Sequence, residues 1–157
     1  MKKYILLVIF CFVSFMVQAQ TWEDKVKSDP AYEKYKEEAL KFFCSEDYIK
    51  EMYLQSYFIE KMGKSIQNYD YKNFEKWMDE NLDKTTFASK EEGLQVFNER
   101  RALRSKNQPE SSRLSKKFDE LGEKYGYDEF LEFENKEVRN IAFEKYFSYK
   151  QKQKTFN

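Results

Sequence analysis

The chain is predicted to fold as a compact all-α bundle of five to six helices. Three observations point there: only four glycines and two prolines in 157 residues, apolar positions recurring three and four residues apart, and capping signals ahead of several of those stripes. An all-β domain needs a tight turn every ten residues or so, and so few turn-forming residues do not supply them. Core material is plentiful, with 15 Phe and 12 Tyr, and each buried aromatic or aliphatic side chain contributes about 1.5 to 3 kcal/mol.

The elements follow in order. Asp29-Pro30 combines an N-cap with a proline preset for the first helical turn, and Tyr35, Ala39 and Phe42 continue a helical stripe, which predicts a helix over residues 30–44. Tyr48, Met52, Ile59, Met62 and Ile66 share one stripe, widened by Tyr53, Leu54, Tyr57 and Phe58, and predict a central helix over 48–66. Tyr71, Phe74, Trp77, Met78 and Leu82 predict a third helix over 71–82. Ser89 to Glu92 has the form of a capping box and marks the start of a fourth. Pro109, inside the polar stretch Arg104 to Ser112, predicts a connection into a fifth helix that carries Leu114, Phe118, Leu121 and Tyr125 and stops at Gly126. After the short aromatic segment Phe130 to Phe133, a last helix over 136–150 uses Val138, Ile141, Ala142, Tyr146 and Tyr149, and the polar tail 151–157 is expected to fray. Residues 20–150 are expected to form a single domain. Glu-Lys-aromatic triplets at Glu33, Glu75, Glu123 and Glu144 recur too irregularly for a solenoid, and each is expected to bury its aromatic and solvate its charged pair.

Ahead of these helices stand Lys2 and Lys3, an apolar run from Tyr4 to Val17, and Val17-Gln18-Ala19 before Gln20. The segment resembles a bacterial secretory signal peptide over residues 1–19, which implies cleavage and export to the periplasm or the extracellular space. Its apolar run falls short of the roughly 20 residues that a spanning helix needs, so membrane contact is expected only through an uncleaved signal. Cleavage would leave 138 residues, remove Lys2, Lys3 and Cys11 but no acid, and so turn a net charge of zero into −2. Cys44 would then be the sole cysteine, unable to form an internal disulfide, and is expected to be buried beside Phe42 and Phe43.

The residue inventory narrows the chemistry. The chain has no histidine, which removes the commonest general base, the usual activator of a nucleophile and the commonest zinc ligand. No two glycines have the spacing of a phosphate-binding loop. No cofactor or metal is therefore expected, and no catalytic residue is assigned. The acids leave carboxylate-dependent hydrolysis open without singling out a pair. Glu110-Ser111 resembles the Glu-Ser of lytic transglycosylases, and Gly93-Leu94-Gln95 resembles their Gly-Leu-Met-Gln element, although the order is reversed and Met is missing. From the residues alone, Glu110 suits a helix start just after Pro109. Asn68 to Asn73 hints at a calcium loop, but Lys72 occupies a ligand position and Asn73 stands where glycine makes the turn, so Asn68 or Asp70 is expected to cap a helix. Trp22, Tyr125 and Tyr127 are least tied to a helical stripe and are candidates for stacking or for lining a ligand cavity.

One charge pattern stands out. Residues 100–117 hold seven bases and one acid, and residues 118–134 hold seven acids and one base. With helices four and five paired as a hairpin turning near Gln108, like charges would stack into a basic end. Arg100, Arg101, Arg104, Lys106, Arg113, Lys116 and Lys117 are therefore the candidate anionic-partner site, with Arg101 expected to be half-buried at the edge of the Leu94–Phe97 stripe. A nearly neutral exported chain is not expected to bind nucleic acid. Its expected partner is another extracytoplasmic protein or an anionic surface such as lipid phosphate or a cell-wall polymer. The expected function is that of a small exported protein-binding module, of inhibitor, immunity or chaperone type, acting through its surface and not as an enzyme. The alternative is a carrier of a lipid or other amphipathic ligand in an aromatic-lined cavity, followed by a carboxylate-dependent hydrolase.

Overall fold

A computed structural model describes residues 21–155. The stretch that resembles an export signal, its expected cleavage site, Cys11 and the last two tail residues lie outside the described residues. Every regular element among the described residues is helical, and these residues divide into two compact units at Lys34–Tyr35, inside the second helix.

The first unit contains α1 (Trp22–Lys27), which the apolar periodicity does not announce. A reciprocal cap starts it: Thr21 Oγ1 accepts from the Asp24 amide at 3.1 Å, and Asp24 Oδ2 accepts from the Thr21 amide at 3.2 Å. Helix α2 (Pro30–Phe43) then begins as the sequence predicts, with Asp29 Oδ1 accepting from the Ala31 amide at 2.9 Å.

The second unit takes up the rest of α2, where Tyr35, Ala39, Phe42 and Phe43 are buried. Ser45 caps α3 (Glu46–Met62) by accepting from the Tyr48 amide, and a 3-10 turn over Gly63–Gln67 follows. Helix α4 (Phe74–Asn81) starts three residues later than periodicity suggests. Asp70 Oδ1 accepts from the amides of both Lys72 and Asn73, at 2.9 and 3.1 Å, and holds residues 70–73 in a turn. Ser89 Oγ accepts from the Glu92 amide at 3.2 Å to start α5 (Lys90–Tyr125), while Glu92 reaches back one residue further than a simple capping box, to the Ala88 amide at 2.6 Å. Gly126, at φ +91°, ends α5 where the sequence places the stop. Then α6 (Tyr127–Glu134), a π-helical segment over Asn135–Arg139 and α7 (Asn140–Thr155) run on without a break. Counted as one run, they give six helices among the described residues. Helical structure extends past residue 150 to Thr155, where the sequence suggests a frayed tail.

The predicted hairpin at Gln108 does not form. Helix α5 passes through Pro109 as one element of 36 residues, about 54 Å long at 1.5 Å per residue. Lys116 consequently stands about 24 Å along the axis from Arg100, not beside it. An interior proline lacks the amide that would bond to the Ser105 carbonyl and costs about 3 kcal/mol in a helix. Side-chain braces on both sides of it offset that loss. Lys106 pairs with Asp47 at 2.6 Å and Asn107 Nδ2 donates to Glu51 at 2.7 Å, both acids lying on α3. Beyond the proline, Arg113 pairs with Glu110 at 2.5 Å and with Glu38 of α2 at 2.9 Å. Glu110 is therefore a mid-helix pairing residue, not the start of a new helix.

Two aromatic clusters flank this long helix. In one, Phe58 meets Phe74, Phe87 and Phe97 at 5.5, 6.0 and 6.0 Å, and Phe74 stacks on Phe97 at 4.3 Å. In the other, Phe118 meets Phe130 at 5.2 Å, and Tyr35 meets both within 6.5 Å. The inward stripe of α3 is Leu54, Phe58 and Met62, while Ile59 from the predicted stripe is 45% exposed. Several apolar stripes overlap on α3, and the position of α4 and α5 selects among them. Ile141, also assigned inward, is exposed, whereas Val138, Ala142 and Tyr146 are buried as expected. Cys44 is free and half-buried, less enclosed than the sequence implies. Of the triplet aromatics, Tyr35 and Tyr146 are buried and Trp77 and Tyr125 half-buried, with exposed Glu-Lys pairs before each.

Two substitutions check this account. Replacing Pro109 with Ala restores the missing amide without touching any brace, and is expected to stabilise the protein by about 1 to 3 kcal/mol, after discounting the looser unfolded chain. A urea midpoint that falls instead would show that the bundle requires the proline's distortion. Phe58→Ala is expected to destabilise by about 3 to 5 kcal/mol in the same titration.

Candidate functional site

The seven candidate cations separate into two groups once α5 is continuous. Arg100 is buried, with its guanidinium carbon 4.3 Å from the Phe58 ring centroid and 5.7 Å from that of Phe97. Its Nη1 donates to Gln55 at 2.6 Å, and its buried Nε has no partner among the described residues. Lys106 is tied to Asp47, and Arg113 and Lys117 converge on Glu38, both at hydrogen-bond distance. Four of the seven are thus absorbed by the fold. Arg101, Arg104 and Lys116 are exposed and form no ion pair among the described residues. The predicted single basic end is corrected to three free cations spread along one helix.

Arg101, expected to be half-buried, is exposed, and its neighbour Arg100 is the buried one. Arg100 lies three and four positions after Phe97 and Val96 and turns inward, whereas Arg101 lies at the rim. Arg101 extends over Tyr71 at 5.7 Å, and Tyr71 meets the buried Phe97 edge-on at 5.3 Å. These residues help line a cleft of about 500 Å³ between α5 and the start of α4. Lys72, Lys76 and Asn98 line it too; the sequence marks Lys72 only as a misfit in a calcium-like stretch and singles out neither Lys76 nor Asn98. The 4-3 spacing of Leu94, Asn98 and Arg101 was the available signal, because it places them along one face of α5.

Arg104 lines a second cleft of about 510 Å³, with Tyr48, Glu51, Asn107, Gln108, Ser111 and Ser112. This one is strongly polar, and its carboxylate is already engaged by Asn107. A third, lined by Lys106 and Arg113, also contains their acidic partners Glu38, Asp47 and Glu110, so its charge is internally balanced.

Of the aromatic candidates, Trp22 is half-buried at the start of α1, in the first unit, and the two tyrosines pack against other rings. Tyr127 meets Phe118 edge-on at 5.4 Å while its hydroxyl donates to Asp119 at 2.9 Å, and Tyr125 stacks on Phe130 at 6.3 Å. Asp70, the centre of the calcium-like stretch, accepts from backbone and side-chain nitrogens of its own turn. Among the described residues, no group of three or more His, Cys, Asp or Glu side chains is placed to hold a metal ion, and no helix is long and apolar enough to cross a membrane. Comparison with protein families, curated proteins and solved structures finds no match to the chain.

The electrostatics of the absorbed groups give the fold a defined pH range. The Lys117 ammonium, with Arg113 beside it, holds the Glu38 carboxyl below the usual carboxylate range, against a smaller opposing effect of burial. Arg113 does the same for Glu110. Burial, reinforced by the Glu134 charge, pushes the Tyr35 phenol far up, and burial with the hydrogen bond to Glu92 does so for Tyr57. The carboxylates therefore contribute stability that is complete above their unfolded pKa of about 4.3 and lost as pH falls through the lower native values. The phenols contribute stability that is complete below about pH 10 and lost as pH rises through their raised native values. A flat urea midpoint between roughly pH 5 and 9, falling on both sides, is expected. Tyr35 and Tyr57 should ionise only as the protein unfolds, seen as a tyrosinate absorbance step that coincides with loss of helical circular dichroism. A step that precedes unfolding would contradict this assignment.

Proposed function

We propose that this protein is a small helical binding module that engages an acidic protein surface outside the cytoplasm through the exposed cations of α5, without covalent chemistry. The observation that carries this reading is the division of the candidate cations. The fold consumes Arg100, Lys106, Arg113 and Lys117, yet Arg101, Arg104 and Lys116 have no partner acid among the described residues although the chain is rich in acids. Unneutralised charge of one sign on a rigid helix steers association with a surface of the opposite sign. The resemblance of residues 1–19 to an export signal supports a partner in the periplasm or outside the cell.

The carrier reading receives less support. A carrier would surround its ligand with aromatic rings, whereas Phe74 and Phe97, which reach the cleft beside Arg101, are packed against Phe58 and each other, and charged and amide side chains supply much of the remaining lining. Surface recognition also suits a chain without histidine, because it needs placed charge and not a titrating group.

The reading is tested by affinity capture from the extracytoplasmic fraction, comparing the wild type with the double variant Arg101→Glu, Arg104→Glu. The partner retained by the wild type should bind the variant about tenfold more weakly or worse, and the wild-type interaction should weaken as added salt screens exposed charges. A partner that binds both proteins equally and ignores salt would remove the cationic face of α5 from consideration.

A further inference from the structure

The cleft beside Arg101 has an imbalance that its composition conceals. Three bases and two acids line it: Arg101, Lys72 and Lys76 against Glu75 and Asp79. Both acids are already occupied, because Lys90 lies 2.6 Å from Asp79 and 3.4 Å from Glu75. The three bases have no ion pair among the described residues. What the cleft offers to a ligand is therefore positive charge on its rim, over an aromatic and aliphatic floor of Tyr71 and Leu94.

The geometry of that floor is fixed by the core. Tyr71 is 47% exposed, but its ring is set by the edge-on contact with buried Phe97, which in turn stacks on Phe74 at 4.3 Å. Arg101 lies over the same ring, so its guanidinium is held at the rim and not free to sweep the solvent. Such a preset cation loses less freedom on pairing with a carboxylate than a free side chain does. A volume of about 500 Å³ is within the range of sites that enclose a small ligand or a few residues of a chain.

Resting on the reading of the protein as a binding module, we propose that this cleft is the docking site for an acidic peptide segment of the partner. Its carboxylates are met by Arg101, Lys72 and Lys76, and its chain lies across Tyr71 and Leu94. One feature favours a peptide over a phosphate group. Asn98 lines the cleft, and its amide offers a donor together with an acceptor, matching the paired donor and acceptor of a peptide backbone. Asn73 lines it too, and although its Nδ2 donates to Asp70 Oδ2 at 2.9 Å, its amide oxygen adds an acceptor that a peptide N–H can use and a phosphate cannot.

The experiment uses the full chain, a soluble oligo-glutamate peptide as probe, and calorimetric titration at low salt. Wild type should bind the peptide. Arg101→Glu and the pair Lys72→Glu, Lys76→Glu should each weaken binding about tenfold or more, and Tyr71→Ala should weaken it more than Tyr71→Phe. The pair Arg104→Glu, Lys116→Glu, outside the cleft, should change it by less than about threefold. All substituted residues are exposed, and unchanged urea midpoints would show that the variants remain folded. If the peptide binds but responds only to Arg104→Glu, Lys116→Glu, the cleft assignment falls while the binding-module reading stands. If wild type ignores the peptide yet still captures its extracytoplasmic partner through α5, the acidic-peptide assignment falls alone. Binding of inorganic phosphate, or of anionic phospholipid vesicles, with the same dependence on Arg101 and no binding of the peptide would overturn the proposal in favour of a phosphate ligand.

Discussion

The continuity of α5 through Pro109 is the constraint on which the rest of the second unit depends. A helix of 36 residues with a proline near its middle serves both aromatic clusters, and it is braced to α3 before the proline and to α2 after it. The braces are ionic and amide contacts at hydrogen-bond distance, individually modest at a partly exposed surface. Their placement matters more than their strength. They span the one peptide unit that cannot contribute its own backbone bond, so the two halves of α5 remain aligned and Phe97 and Phe118 face their separate clusters.

Two buried charges are accommodated in opposite ways. Glu134 is fully buried and surrounded by donors, with the Tyr35 hydroxyl at 2.8 Å and Arg139 Nε at 3.0 Å from one of its oxygens. The π-helical segment makes the second of these contacts possible. Widening one turn to an i to i+5 pattern brings residue 139 over residue 134, a spacing that a regular α-helix would rotate away from. Arg139 also lies 4.4 Å over the Phe43 ring, so the same widened turn seats a cation on an aromatic face. Among the described residues Arg100 pairs with no carboxylate. It is held there by the π-faces of Phe58 and Phe97 and by a hydrogen bond to Gln55, an arrangement in which cation–π attraction strengthens because water is excluded. Neither device shows in a count of charges, and both take members out of what the sequence presents as simple acidic and basic blocks.

The helical class, the starts of α2 and α5 and the stop at Gly126 were legible in the sequence because each depends on neighbours within four residues. Asp29, Ser89 and Gly126 act on the backbone beside them. The fate of Pro109 was not legible, since it is decided by acids 56 and 75 residues away from the side chains that they brace, Asn107 and Arg113. The choice of Leu54, Phe58 and Met62 as the inward stripe of α3 likewise belongs to the helices packed against it, because an aromatic-rich helix offers several stripes of similar quality. At the candidate site, the basic segment itself was visible, and Arg101 was singled out from its position near Leu94 and Phe97. The division into free and absorbed cations was not visible, nor were Tyr71, Lys72 and Lys76, which come from the approach to α4 and its first turn.

The bond between Tyr35 and Glu134 has a temporal side. It joins residues 99 positions apart, and the rings that enclose Tyr35, Phe118 and Phe130, are likewise far along the chain. A ribosome delivers α2 long before any of these partners exists, so this cluster cannot close while the chain is still being made. Isolated helices of this length are marginal in water, and loops this long close late because their entropy must be surrendered before the contacts reward it. The nascent chain therefore emerges as loosely helical, unlocked segments, and the polypeptide gains its final rigidity only after synthesis has passed Arg139.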